Sequence, residues 1–304
     1  MRSIWAGLTT ALLLVGLATA SWAQNGLERF DKEIKPQLEL KKFSYASGAP
    51  LGNAGFVLND VVAVIPANAA TGDKESTVKI QKVTVDEIDF DRLKKESSPE
   101  DAPRFAKLKL EGITGDDDMF AALKPYGVPN VPVDVALDYR IDTAAKVLHL
   151  NNLEMTLRGQ ASIALAMVLE GISDKTDAST AKDDGRLRSA KLTYDDKGLL
   201  AKVVPPLAQT ESLKPEDVVK TALASIAGFA EPQGPQTLQA LDAIASFITD
   251  WKAPKGPLVL GLKPSKTAGV DDLDKIMMPN ALTDLFGFTA TYPGTKPGAA
   301  KAGK

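Results

Sequence analysis

The chain has 304 residues, with 36 Lys+Arg against 39 Asp+Glu, a single histidine and no cysteine. Near-balanced charge gives no electrostatic case for nucleic acid, and the missing thiols exclude disulfides, thiolate metal sites and cysteine nucleophiles. One histidine excludes multi-histidine zinc and copper centres, so no metal or cofactor is expected, while 44% apolar residues suffice for one large or two modest domains.

The first 23 residues read as a cleavable secretory signal peptide. Arg2 supplies the positive start, Ile4 to Gly16 a short apolar run, and Ser21-Trp22-Ala23 the small residues a signal peptidase reads. Cleavage is expected after Ala23, with Ala18-Thr19-Ala20 as a second site. The run is shorter than the roughly 20 apolar residues that span a bilayer, and no later segment is long and apolar enough, so no transmembrane segment is expected after cleavage. Removal of Arg2 leaves 35 cations against 39 acids and moves the formal charge from −3 to −4. The expected location is a bacterial periplasm.

Residues 24–195 are expected to be β-rich. Leu27, Phe30 and Ile34 predict one short helix ending at Pro36. Phe56 to Leu58 and Val61 to Ile65 are strand-like. Val78 and Ile80, then Val83 and Val85, then Ile88 and Phe90 alternate with polar residues, but the parity slips between the pairs. A slip predicts a bulge, because one extra residue exchanges the faces of a strand. Leu108 and Leu110 follow. Val133, Val135, Leu137, Tyr139 and Ile141 alternate with mostly charged residues, which predicts an antiparallel sheet with one wet face. Another slip is expected at Asn151-Asn152. Ile163, Leu165, Met167 and Leu169 alternate with Ser162, Ala164, Ala166 and Val168, so this strand is apolar or small on both sides and something is expected to pack on its second face. Leu192 and Tyr194 predict one more short strand. Asp91–Arg104 and Ser173–Gly185 read as exposed loops.

Residues 196–290 are expected to be helix-rich with one short strand. Leu199, Leu200, Val203 and Val204 predict a helix stopped by Pro205-Pro206. A second opens at Pro215 with Glu216 and Asp217 in its first turn, and a third at Gly234-Pro235, running to Trp251. Leu258, Leu260 and Leu262 predict a strand. Two helical turns are expected around residues 271–277 and 280–286, the second ended by Gly287. Residues 291–304 are expected to form a disordered tail. Strands in a block followed by helices predict an α+β fold, a large curved antiparallel sheet followed by a helical C-terminal segment.

Candidate chemistry is sparse. His149 should point away from the face of Leu148 and Leu150, as an ordinary strand residue. Asp116-Asp117-Asp118 suits a helix cap better than a calcium loop. Asp86, Glu87, Asp89 and Asp91 read as the wet side of a strand, though paired carboxylates in a cleft can hydrolyse glycans. Ser76-Thr77-Val78-Lys79 and Ser179-Thr180-Ala181-Lys182 share the serine-x-x-lysine spacing of penicillin-recognising enzymes without their companion motifs. No phosphate loop, dinucleotide fingerprint or nucleophile elbow occurs.

The signal peptide, long amphipathic strands and slipped repeats such as Val78-Lys79-Ile80 and Leu108-Lys109-Leu110 resemble bacterial periplasmic β-rich envelope proteins of the AsmA-like kind over residues 50–195. The resemblance implies envelope association and lipid handling. The expected function is non-enzymatic, in envelope structure or in binding a lipid or other apolar ligand or an envelope protein. Ile163, Leu165, Met167 and Val168 are the expected lining residues. The alternative is a periplasmic hydrolase that uses carboxylates on glycans.

Overall fold

A computed structural model of the protein describes residues 24–67, 74–93, 103–115, 124–125, 127–128, 130–175, 184–269, 272, 275 and 278–295. Its centre is an open, curled antiparallel sheet of eleven strands among the described residues. The long strands are β3 (Gly55–Ile65), β4 (Ser76–Ile88), β5 (Phe105–Gly115), β6 (Val133–Asp142), β7 (Val147–Leu157), β8 (Ala161–Glu170) and β9 (Arg186–Asp196). Each pairs with the next in sequence. The edge of β3 carries two short strands, β1 (Lys42–Ser44) and β2 (Ser47–Leu51). The other edge is β10 (Leu258–Leu262) on β9, then β11 (Thr289–Thr291) on β10.

Cross-strand register gathers most of the large apolar residues of the long strands on one side. Phe56 and Leu58 oppose Val85 and Val83, which oppose Leu108 and Leu110. Leu108 and Leu110 oppose Leu137 and Val135, then Leu153 and Met155, then Leu165 and Ile163, then Leu192 and Tyr194. The parity slips seen in the sequence keep this side continuous. Asp60 in β3 and Gly112 in β5 both have positive φ, and Gln81 lies between them in register. The extra row ends at β6, where Glu111 and Gly112 oppose the single residue Asp134. A bulge leaves an N–H without a ladder partner, and here Asp134 accepts from Gly112 N at 2.6 Å. Arg158 holds the same carboxylate through Nε and Nη2. Further bulges fall at Asp86 and at Asn151, close to the expected slips.

Two helical groups cover the ends of the apolar side. At the β3–β4 end lies α1 (Gly26–Arg29), continued by a π-turn at Phe30–Ile34 and a 3-10 turn at Lys35–Gln37. Phe30 packs with Phe56, Leu58, Val61, Val85 and Phe90, and Leu27 and Ile34 flank them. At the β9–β11 end lie α2 (Leu199–Thr210), α3 (Pro215–Ala230) and α4 (Pro235–Thr249). Ala240, Ala243 and Phe247 of α4 join Leu258, Ala290 and Tyr292, with Tyr194 and Leu260 alongside. A one-turn helix, α5 (Ala281–Asp284), follows, and Gly287 just beyond it has φ of 57°.

The fold is the expected α+β arrangement with several corrections. The first helix does not stop at Pro205-Pro206: α2 runs through both to Thr210. Pro206 deprives the Lys202 carbonyl of its i+4 donor, but burial of Val204 and Ala208 carries the helix past it. Strand β9 is longer than Leu192–Tyr194, because a bulge at Arg188 breaks the alternation that would have revealed Leu187. Phe90 is in a 3-10 turn rather than a strand. The helical segment returns two strands to the same sheet rather than one. Residues 291–295 belong to the fold, since Tyr292 is buried and its hydroxyl donates to Asp250; residues 296–304 lie outside the described residues. Finally, β8 is broadly met only by its neighbours β7 and β9 among the described residues. Its outer alanines need no second layer: Ala164 is flanked by Glu154 and Thr193, and Ala166 by Lys191, whose longer side chains shield them.

Candidate functional site

Among the described residues the apolar side is covered at both flanks and open between them. Leu153 and Met155 of β7 and Ile163 of β8, two sheet-interior strands, are 43%, 54% and 40% exposed. Met155 opposes Val135 on one side and Ile163 on the other, and Leu153 opposes Leu137 and Leu165, so these residues form one contiguous patch. Burying each of the three large side chains is worth about 1.5–3 kcal/mol. An apolar patch in a sheet centre is thus an energetic cost that singly scattered surface residues do not impose.

The patch has a border on all four sides. Towards β3 it meets the α1 cluster, and towards β9 the α4 cluster. At the end of the strands that carries the β5–β6 and β7–β8 connections, α2 crosses the sheet. Leu200 packs with the α4 cluster, Lys202 Nζ donates to Gln160 Oε1 in the β7–β8 turn at 2.6 Å, and the Lys202 carbonyl lies over Gly127 of the β5–β6 connection, where a Cβ would stand 3.0 Å from it. Gly127 has φ of 69°, a conformation that glycine adopts without strain.

At the opposite end the connections themselves form a strut. Arg92, after β4, reaches Asp174, after β8, at 2.5 Å. Those strands lie four positions apart, roughly 19 Å along a flat sheet, and the two connections meet across that distance on the curled sheet. Tyr139 OH donates to the Pro103 carbonyl, which places the strut on the apolar side. Its anchor is Asp89, buried to 2% exposure and held by Arg104 through Nε, Nη2 and the backbone N–H. Burial alone would raise the Asp89 carboxyl, but the Arg104 bonds outweigh it and hold the group below its ordinary range.

Of the four expected lining residues, Ile163, Leu165 and Met167 share the bare apolar side. Val168 lies on the opposite side, in register with His149 and Ser189, because it is the odd member of an alternating strand. Leu153 and Met155 are the residues that sequence reasoning missed; the Asn151-Asn152 slip marks them, since it returns β7 to the apolar face.

The carboxylates around Phe90 are each engaged by a base. Asp86 faces Lys107 at 3.7 Å, Glu87 pairs with Arg140, Asp89 with Arg104, and Asp91 with Arg29. Lys79 follows Ser76 in β4 at a spacing that puts them on opposite faces. Ser179-Thr180-Ala181-Lys182 and Asp116-Asp117-Asp118 lie outside the described residues. Among the described residues, no group of three His, Asp or Glu side chains is placed to hold a metal, and no helix is long and apolar enough to cross a membrane.

A second apolar surface lies on the helical side. Leu223 and Ile226 of α3 and Leu238, Leu241 and Ala245 of α4 line a cleft of about 530 Å³. No residue of α3 is fully buried.

Residues 150–293 match a protein-family model described only as "Uncharacterized protein". The matched span begins in β7 and takes in β8, β9, the three covering helices and both terminal strands. A comparison with curated proteins gives no match.

Proposed function

We propose that the protein is exported to the periplasm and binds the apolar part of a lipid-like ligand on the bare patch of β6–β8. One observation carries the reading: Leu153, Met155 and Ile163 stand exposed together inside a bordered stretch of sheet. Binding sites for apolar ligands are concave, mostly apolar and bordered by a few polar groups. The α2 crossing and the Arg92–Asp174 strut supply such borders here. Envelope association, which the AsmA-like resemblance implies, is consistent with this use, and the N-terminal leader supports export.

The test is native mass spectrometry of protein purified from the periplasmic fraction, with lipid extraction alongside. The expected result is a co-purifying lipid in the wild type that is lost in Met155→Asp and Ile163→Asp variants whose melting temperatures stay within about 4 °C of it. A wild type that carries no lipid and takes up no fluorescent acyl probe overturns the proposal. N-terminal sequencing of the same sample should read from Gln24 or Ser21; a chain that begins with Met1 and fractionates with cytosolic markers removes the periplasmic assignment.

A further inference from the structure

We infer that the ligand of the apolar patch carries an anionic head group, and that Lys202 of α2 is the residue that receives it. The inference rests on the proposed patch and adds the polar end of the ligand.

Lys202 is exposed, yet its ammonium meets no carboxylate among the described residues. Its partner is the neutral amide oxygen of Gln160. Two neighbouring cations are instead ion-paired, Lys197 with Asp195 and Arg158 with Asp134. Gln160 is itself buried to 9% exposure, and its backbone carbonyl accepts from Lys197 N, which holds the residue that orients the lysine. An ammonium has three donors. One is used by Gln160; among the described residues the others meet no acceptor, and a carboxylate or phosphate oxygen there would make a stronger, charge-assisted bond.

Position connects this cation to the patch. Gln160 immediately precedes Ala161, the first residue of β8 and a member of the apolar side. Ile163 is three residues from Gln160, about 10 Å along an extended chain. An amphiphile with its chain on Met155 and Ile163 would bring its head to the α2 border, where Lys202 is the side chain aimed across the end of the strands. At the opposite border Arg92 is held by Asp174 and Arg104 by Asp89. The short span from Lys202 through Gln160 to Ile163 gives the ligand its direction, head towards α2 and tail towards the strut.

The experiment compares ligands with one sixteen-carbon chain and different heads: palmitate, hexadecanol and a lysophosphatidate. Each displaces a neutral fluorescent acyl probe from the full chain without its leader. Both anions are expected to bind at least about 10-fold more tightly than the alcohol. Lys202→Gln should erase that preference, and Lys202→Arg should restore it. Palmitate preferred over lysophosphatidate, or the reverse, identifies the head as carboxylate or phosphate. Equal binding of acid and alcohol, or a preference that survives Lys202→Gln, overturns the role of Lys202 and leaves the patch standing. Failure of every ligand to bind the wild type overturns the patch and this inference with it.

Discussion

At the scale of single residues, two positions fix the α1 end of the molecule. Gly26 and Gly55 approach so closely that a Cβ on Gly26 would fall on the Gly55 backbone. Backbone cannot swing aside as a side-chain tip can, so Gly26→Ala should cost about 1–3 kcal/mol, read as a lower urea midpoint. The second position is Asp89. Because Arg104 depresses its folded pKa below the ordinary aspartate value of 3.8, the pair stabilises the fold at pH values above the unfolded pKa. That stabilisation fades as pH falls through the lower folded value. Asp89→Asn should therefore lose about 2–4 kcal/mol at neutral pH, with the gap to wild type constant between pH 5 and 8 and closing below about pH 4. Thermal melts across that range check the sign; a gap that widens in acid would contradict it.

At the scale of elements, the patch strands and the core strands should respond differently to the same change. Met155→Asp replaces a half-exposed side chain and is expected within about 0.5–1 kcal/mol of wild type, whereas Leu58→Asp puts a charge where exposure is 1% and should prevent folding. Circular dichroism melts of the two variants separate a surface kept for binding from one that is merely core. Much of this was legible in the sequence. Alternation marked β6 and β8, parity slips marked the bulges in β4 and β7, and Pro215 and Pro235 marked the starts of α3 and α4. Other parts follow from contacts that local pattern does not carry. α2 passes Pro205-Pro206 because Val204 and Ala208 are buried by distant residues. The strut joins Arg92 to Asp174 across 82 positions of chain, inside segments whose composition reads as loop. The patch was half visible: Ile163, Leu165 and Met167 follow from alternation, but that nothing among the described residues packs broadly on them is a property of the whole sheet.

At the scale of the whole molecule, one uninterrupted antiparallel sheet joins two covers that touch different ends of it. The α1 cover is tied by Arg29 to Asp91 and stacks that guanidinium 4.6 Å from the centre of the Phe90 ring. The α4 cover is tied by Tyr292 to Asp250, which Lys255 also holds. A curled sheet that does not close has two free margins, and here both are blunt. β1 and β2 are interrupted at Tyr45-Ala46, and β2 carries Pro50, which has no N–H to offer a further strand. The other margin is only the three residues of β11. Truncation after Gly287 removes that guard and bares β10, with Leu258 and Leu260 losing Ala290 and Tyr292; the shortened protein should sediment as higher oligomers where the full chain does not. Such oligomers would mark β11 as a stopper against fibre growth as well as a piece of the core.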